Sequence, residues 1–257
     1  MYLKSFLAIA AIALLSTGCS NMTPERHMAG YESVVLKQKN IAILPAEVYV
    51  ETVDYFGAKE RMHDYEYHLE KMIDREMLPA IQEKGFKAKR LSRKDIHNKK
   101  LNKLVGELRA RYGEKRAIVY DKYLWNEKEA FDLSQNIGTI AVELGEAVKS
   151  DLLVFVDFVA SSKTQGAQTA EVVTSLLLGA LSGKARYNNE PSEEAVMVIA
   201  IIDAKTGNIL WSNKGITGAL NVDGALASFE KDDTAGSTEI KRLIRAILDS
   251  FNKPRKK

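Results

Sequence analysis

Apolar residues along the chain fall into short unbroken runs and into stretches with helical spacing. A short run bounded by polar or turn-forming residues is typical of a buried strand, whereas apolar residues three and four apart are typical of a helix with one buried face. The strand pattern occurs at residues 40–44, 86–91 and 151–160 and in the hairpin 196–202 and 208–213, whose predicted turn is 204–207. The helix pattern occurs at residues 59–84, around 101–108, at 128–149 and at 238–251, with Ser237 as the predicted N-cap of the last helix.

This order of elements predicts an α/β fold, a small mixed sheet of about five strands with helices packed on it. We expect one domain over residues 40–251, with an insertion at 161–195 between two central strands. Residues 46–57, after the first strand, are predicted to be a loop that carries Tyr49, Tyr55 and Phe56. Such a loop is a candidate binding surface, but aromatic rings in loops also pack inward, and the sequence leaves both interpretations open.

The N-terminus has the pattern of an export signal that ends at the only cysteine of the chain. A short segment with the single charge Lys4 precedes the apolar run 6–15, which is far shorter than the roughly 20 residues of a membrane-spanning helix. The small residues Ser16, Thr17 and Gly18 then lead to Cys19. This pattern resembles the lipobox of bacterial lipoproteins, although that family favours Leu at the position of Ser16.

The lipobox resemblance implies that residues 1–18 are removed and that Cys19 is acylated and becomes the new N-terminus. Residues 19–39 are then predicted to be a lipidated tether, and residues 252–257 a basic tail. Ser20 follows the cysteine, which in Gram-negative lipoproteins implies sorting to the outer membrane. The alternative is an ordinary secretory signal beside a chance cysteine.

The composition is that of an ordinary folded protein and excludes few functions. Hydrophobic residues make up 46% and charged residues 28% of the chain, and the net charge is +3. A single cysteine excludes a disulfide within the chain. We expect no cofactor, no metal, no nucleic acid and no small-molecule substrate, and the sequence contains no P-loop, G-x-S-x-G or dinucleotide-binding pattern.

Three segments together resemble a known family of envelope proteins. They are IAILP, LLVFVDFVA and IDAKTGNILW, which contain Pro45, Asp203, Gly207 and Trp211. The resemblance is to bacterial lipoproteins with a domain like the N-terminal domain of TolB and the curli-secretion lipoprotein CsgG. It implies an outer-membrane lipoprotein that acts by assembly rather than by chemistry.

The insertion 161–195 is a second candidate interaction surface. Gly179 and Gly183 have the spacing that allows close helix approach in a dimer, a ring or a membrane contact. The alternative is a surface helix folded back on the core of the domain. The apolar stretch 170–181 neither alternates nor spans a bilayer, so a membrane-inserting pore hairpin is not expected.

Several charged groups allow both a functional and an ordinary interpretation. The basic segment 84–122 could bind an anionic partner, but a solvated helix face is the simpler interpretation. Asp64 and His68, with Glu60 one turn earlier, have metal-binding helical spacing but lack an evident third ligand, so an exposed ion pair is favoured. The carboxylate pairs Glu66–Glu70 and Asp232–Asp233 do not predict a catalytic pocket, and we expect no enzymatic activity.

Two functions are consistent with these observations. The first is a periplasm-facing lipoprotein, anchored in the membrane through acylated Cys19, that serves as a subunit or accessory of an outer-membrane assembly or secretion system. Its partner would be another protein or further copies of itself. The second is a monomeric binding or activator module for an envelope enzyme such as a cell-wall synthase.

Overall fold

The structure, a computed structural model, describes residues 21–22, 25–54, 56–120, 135–163, 194–218 and 233–251. Within these ranges, one sheet has helices on both of its faces. Its strands are β1 (Asn21–Met22), β2 (Arg26–His27), β3 (Asn40–Ile43), β4 (Glu47–Val53), β5 (Lys59–Arg61), β6 (Lys87–Arg90), β7 (Leu152–Lys163), β8 (Glu194–Asp203) and β9 (Ile209–Gly218). The α-helices are α1 (Tyr31–Val35), α2 (His63–Gln82), α3 (Lys99–Val119), α4 (Thr139–Val148) and α5 (Asp233–Leu248).

β7 is the central strand of the sheet. On one side it pairs antiparallel with β8, which forms a hairpin with β9. On the other side, β3 pairs parallel with the start of β7 and β4 pairs parallel with its remaining half, Asp157–Lys163. β3 and β4 therefore lie one after the other along the same side of β7. The path between them is interrupted at 44–46, where Pro45 has no N–H to donate.

Each face of the sheet is covered by its own helices. β7 is apolar without alternation because successive side chains point to opposite faces and both faces are buried. On one face, α1, α2 and α5 pack over Ile41, Val154 and Ile199, and on the other, α3 and α4 pack over Leu153, Phe155 and Ile202. α4 approaches the β8–β9 turn so closely that a Cβ on Gly145 would lie 2.4 Å from Ala204 Cβ.

The edges of the sheet are protected against further strand pairing. β6 and β5 lie on one edge, next to β3 and β4, and are short and rich in basic residues. At the opposite edge, β1 and β2 pair with β9. Short edge strands with exposed lysine are a common defence against strand addition. A partner is therefore expected to meet the ends or faces of this sheet rather than its edges.

The predicted fold class is confirmed, and the structure adds strands that the sequence analysis missed. All five predicted strands are present, together with β1, β2, β4 and β5. Residues 46–57 were predicted to be a loop, which is wrong because 47–53 form β4. The first long helix begins at His63 rather than 59, because β5 comes first. The last helix begins at Asp233, so Ser237 is not its N-cap.

The third long helix, predicted over 128–149, begins at Thr139. The residues before it, 135–137, lie along the β8–β9 turn, where Asn136 forms a bridge with Asn208. That predicted start is therefore wrong, and residues 121–134 lie outside the described ranges. The hairpin turn 204–207 is confirmed, and Gly207 adopts the positive φ of 78° that the turn requires.

The sheet has two ends that differ in what they carry. The turn end contains the β8–β9 turn and the starts of β3 and β7. The distal end is the opposite one, where β4 stops at Val53, β7 at Lys163 and β9 at Gly218, and where β8 begins at Glu194. The insertion, predicted at 161–195, starts after Lys163 and stops before Glu194, so as 164–193 it leaves and re-enters the sheet at the distal end.

Candidate functional site

A groove lies near the distal end of the sheet, between the β4–β7 pair and the second half of α3. Its volume is about 360 Å³. The groove exists because β4 and β7 continue beyond the part of the sheet that α4 covers, which leaves Val159 42% exposed. Its walls are charged and aromatic side chains, namely Glu47, Tyr49, Arg61, Arg109, Tyr112, Arg116 and Asp157.

The charges of the groove are paired with one another. Arg116 forms an ion pair with Asp157. Arg109 donates a hydrogen bond to the carbonyl oxygen of Pro45 at 2.5 Å, and its Nε lies 3.6 Å from a carboxylate oxygen of Glu47. Arginine forms rigid, directional contacts with carboxylates, so these pairs fix the shape of the walls. The groove suits a partner with charges of both signs better than a simple anion.

Asp157 is the most perturbed acid of the groove. Burial raises the pKa of Asp157 above its ordinary value of 3.8, while Arg116 opposes that effect. The carboxylate lies in the strand run LLVFVDFVA, where every neighbouring residue is apolar. A charged group in this position costs stability and is consistent with a role in binding.

The wild-type protein is expected to lose stability as pH rises, because Asp157 must then become charged. Replacing Asp157 with asparagine should remove this pH dependence. Because the folded-state pKa is raised, the folded protein holds this proton more tightly than the unfolded chain does. The contribution of Asp157 to stability is therefore greatest below the pKa that this group has in the unfolded chain. It falls as pH rises through the pKa that the group has in the folded protein. Each whole unit between the two pKa values corresponds to about 1.4 kcal/mol. The asparagine variant should match or exceed the wild-type melting temperature at neutral pH.

Thermal melts of both proteins from about pH 4 to pH 7 check this expectation. Glu47→Gln is the matched control, because Glu47 lines the same groove and contacts Arg109 but its side chain is 58% exposed. A variant that melts lower than the wild type at neutral pH, with an unchanged pH profile, would show that Asp157 is a net stabilising group.

Two tyrosines, Tyr112 in α3 and Tyr120 just after it, join the helix to the sheet beside the groove. The ring of Tyr112 stacks on Phe155 with centroids 5.1 Å apart, and burial raises the pKa of its phenol. At the end of the helix, the hydroxyl of Tyr120 lies 2.7 Å from that of Ser212 on β9. Burial raises the pKa of Tyr120 to about 12. Both phenols therefore stay neutral at physiological pH; Tyr112 serves as a packing group, and Tyr120 also as a hydrogen-bonding group.

Three acidic residues on one face of α2 bind neighbouring segments of the sheet. Glu66 accepts a hydrogen bond from the backbone N–H of Val50 at 3.1 Å, and Asp74 accepts one from that of Ala46 at 3.3 Å. Between them, Glu70 accepts two hydrogen bonds from the guanidinium Nε of Arg93. The pair Glu66–Glu70 is thus engaged in structural contacts. Glu66 and Asp74 thereby satisfy two backbone N–H groups, those of Val50 and Ala46, that would otherwise lack these partners.

The N-terminal segment is folded where a tether was predicted. Residues 26–27 form β2 and residues 31–35 form α1, with Tyr31 and Val35 buried in the core. Trp211 on β9 donates a hydrogen bond from its indole N–H to Glu25 at 3.2 Å. From residue 25 onward, the prediction of a tether over 19–39 is therefore wrong. β1 extends the contact further, because Asn21 pairs with Ile216.

Only some of the predicted site residues lie within the described ranges. Tyr49 lies in β4 at the wall of the groove, 37% exposed, and Phe56 lies at the tip of the β4–β5 turn, 88% exposed. Asp64 and His68 lie in α2, and no cluster of three or more His, Cys, Asp or Glu able to hold a metal occurs among the described residues. Within the same ranges, no helix is both long and apolar enough to cross a bilayer. Cys19, Tyr55, Gly179 and Gly183 lie outside the described residues.

The sequence analysis missed the arginines of the groove. Arg109 and Arg116 belong to the basic segment 84–122 and lie seven residues apart, which places them on one face of α3. Most other basic residues of α3 are exposed, as expected for a solvated helix face. Among the groove residues, Asp157 has the clearest sequence signal, because it is the one charged residue within the apolar run LLVFVDFVA. Arg61 was assigned to a helix and lies in β5 instead.

Comparison with known proteins yields structural likeness only. No family model matches the chain, and no curated protein sequence matches it. The dodecamer of a PelC variant from Paraburkholderia phytofirmans is 11% identical, with a TM-score of 0.35 and coverage of 90% of this chain and 96% of that one. A second PelC dodecamer from the same organism is 10% identical, with a TM-score of 0.33 and coverage of 89% and 93%.

The C-terminal domain of LpoB from Salmonella enterica is also similar, at 10% identity. Its TM-score is 0.25, and the alignment covers 75% of this chain and 96% of that domain. At these identities and TM-scores, the likeness assigns neither a family nor a function to this chain.

Proposed function

We propose that this protein is a lipid-anchored, periplasm-facing lipoprotein of the outer membrane. It acts without catalysis, as a subunit or accessory of an envelope assembly or secretion system. The observation that carries this proposal is the signal pattern that ends at Cys19, only two residues before β1. A lipid on this residue would be attached to the sheet almost directly.

The architecture supports a role as a rigid platform close to the membrane. Two residues of chain reach at most about 7 Å, so Cys19 lies within that distance of Asn21. Asn21 pairs with Ile216 near the distal end of the sheet. The anchor would therefore hold the distal end, with its groove and the insertion 164–193, close to the bilayer. Gly179 and Gly183 of the insertion remain proposed contacts, as do Tyr49, Tyr55 and Phe56.

The groove supports binding rather than chemistry. Its acids and bases are engaged with each other, with backbone groups or, for Arg61, with Glu66 on α2, and the phenol of Tyr112 is held neutral by burial. General acid–base catalysis requires a titratable group positioned to exchange a proton with a substrate at working pH. The paired, rigid walls instead favour recognition of a protein segment.

The activator alternative requires a domain that reaches far from its anchor. A free tether of twenty residues would extend at most about 70 Å. The pairing of β1 and β2 with β9 removes most of that length. For this reason we favour a subunit or accessory that works at the membrane surface.

The native mass of the lipidated protein tests this proposal. The lipidated protein in mild detergent is compared with a soluble form that begins at Ser20, both by light scattering. A discrete oligomer of the lipidated form is expected, and replacing Gly179 and Gly183 together with valine should reduce it. Gly106→Val is the control, because nothing lies within 4 Å of the position that its Cβ would take. Monomers in both forms would contradict the assembly proposal and favour the activator module.

A further inference from the structure

The β4–β5 turn presents the most exposed large apolar side chain among the described residues. Phe56 is 88% exposed at the tip of this turn. The turn itself is rigid, because one carboxylate oxygen of Asp54 accepts hydrogen bonds from the backbone N–H groups of Phe56 and Ala58, each at 2.8 Å. Gly57 completes the turn with a φ of 81°. A rigid turn that holds an aromatic ring in solvent is typical of a binding element.

The strands below the turn are held equally firmly. Glu51 on β4 accepts a hydrogen bond from Lys59 on β5 at 2.6 Å and another from the hydroxyl of Tyr49 at 3.0 Å. Arg61 lies 5.0 Å above the ring of Tyr49 and donates a hydrogen bond to Glu66 on α2 at 2.7 Å. The turn therefore moves with the sheet rather than independently of it.

The turn lies at the distal end, the same end as the residues next to Cys19. β4 runs parallel to β7 and ends at Val53, opposite Lys163, so the turn projects beyond that end. Successive pairs across the sheet place Asn21, Ile216, Val196, Val159 and Tyr49 in one row. Four strand spacings separate the ends of this row, a distance of about 20 Å.

Measured from this row towards the distal end, the turn extends at least as far as Cys19 can. From Tyr49 in that row, β4 continues for four residues, or about 13 Å, before the turn begins. Cys19 lies no more than about 7 Å from Asn21 in the same row. If the lipid on Cys19 holds the chain at the bilayer surface, the tip of the β4–β5 turn reaches the headgroups.

We propose that the β4–β5 turn is a second membrane contact, in which Phe56 enters the headgroup region of the phospholipid bilayer that holds Cys19. This inference rests on the proposed function, because it requires the acyl anchor. Aromatic side chains are favoured at membrane interfaces. The backbone N–H groups of Phe56, Gly57 and Ala58 are already satisfied by Asp54, so contact of these residues with lipid leaves none of the three without a partner.

The second contact would set the orientation of the domain. A lipid on a single residue holds a protein at a membrane but leaves the protein free to tilt around that point. A second contact about 20 Å away across the sheet restricts this tilt. The groove would then open near the bilayer surface, and its partner would have to approach along the membrane.

Site-specific fluorescence on the lipidated full-length protein tests this inference. A Phe56→Cys variant is labelled with an environment-sensitive thiol dye and placed in vesicles of phosphatidylethanolamine and phosphatidylglycerol, with or without brominated acyl chains. Cys19 is the only native cysteine, so when it is acylated the new thiol is the only one that reacts. Leu36→Cys is the matched control, because Leu36 is also apolar and 72% exposed but lies beside the turn end, next to β3.

We expect the dye at position 56 to shift to the blue in vesicles and to lose most of its emission to the brominated lipids, while the dye at position 36 does neither. Equal behaviour of the two positions on membrane-bound protein would overturn the inference. A blue shift at position 56 in the soluble form that begins at Ser20, without detergent or vesicles, would also overturn it, because it would indicate contact with a second copy of the protein.

The wild-type protein distinguishes failure of this inference from failure of the proposed function. If wild-type protein takes up the dye, Cys19 carries a free thiol, the lipid anchor is wrong, and the membrane contact of the turn is rejected with it. If wild-type protein takes up no dye and binds vesicles, the anchor stands. The comparison of positions 56 and 36 then decides the contact alone.

Discussion

Replacing Cys19 with serine is expected to abolish incorporation of labelled palmitate and to remove the protein from the outer-membrane fraction. The lipobox resemblance makes the sulfur of Cys19 the attachment point, and a hydroxyl cannot take its place. Each buried CH₂ of an acyl chain contributes about 0.8 kcal/mol to membrane binding, so the loss of two chains removes the anchor entirely. Metabolic labelling followed by fractionation of the two membranes measures both effects.

Ser20→Asp is the matched control for this variant. It leaves Cys19 in place, so the label should be retained, whereas the membrane in which the protein is found should change. A Cys19→Ser protein that still carries label, or that remains in the outer-membrane fraction, would contradict the anchor. In that event the signal would be an ordinary secretory one and the cysteine incidental.

Replacing Trp211 with alanine is expected to lower the free energy of unfolding by about 3–5 kcal/mol. The indole is fully buried, and its centroid lies 5.1 Å from that of Phe251, which stacks on Phe86 at 5.8 Å. Removing it leaves a cavity between β9 and the end of α5, and it also removes the hydrogen bond to Glu25. Chemical denaturation of the soluble form measures the change.

Trp211→Phe separates these two contributions. It keeps an aromatic ring against Phe251 but has no N–H to donate to Glu25, so a smaller loss is expected. Protection of the backbone amides of β2 against hydrogen exchange should fall in both variants. A loss below about 1 kcal/mol in the alanine variant would show that this part of the core relaxes around the missing ring.

The elements predicted well are those whose signal is local. β7 and the β8–β9 hairpin are long apolar strands joined by a turn with a glycine at positive φ, so pattern and turn chemistry agree. The helical face of α2 is also local, and its predicted apolar residues Leu69, Met72, Ile73, Met77, Ala80 and Ile81 are buried. In these segments the periodicity of side chains alone determines which face is covered.

The elements missed depend on partners distant in sequence. β4 has the alternating residues Val48 and Val50, but Pro45 suggested that the first strand had ended. Its partner β7 lies more than a hundred residues away, and pairing with it restores the strand after the interruption. β2 has no apolar signal at all, because it is the polar pair Arg26–His27, and its place on β9 is set by the fold.

The groove could not be predicted from sequence patterns either. Arg61 comes from β5 and Arg116 from α3, and only the packing of α3 on the sheet brings them together with Asp157. The exposure of Phe56 was not predictable either. The sequence analysis left open whether the aromatic residues of 46–57 pack inward or bind a partner. The hydrogen bonds to Asp54 hold the turn in a conformation in which Phe56 is exposed.

The mass of the intact protein purified from the envelope tests the central claim most directly. The account predicts a chain that begins at Cys19 and carries additional mass equal to a diacylglyceryl group, with or without a further acyl chain on the new N-terminus. A chain that begins at any other residue, or one whose Cys19 carries no lipid, would contradict the anchor and with it the proposed orientation of the distal end towards the membrane.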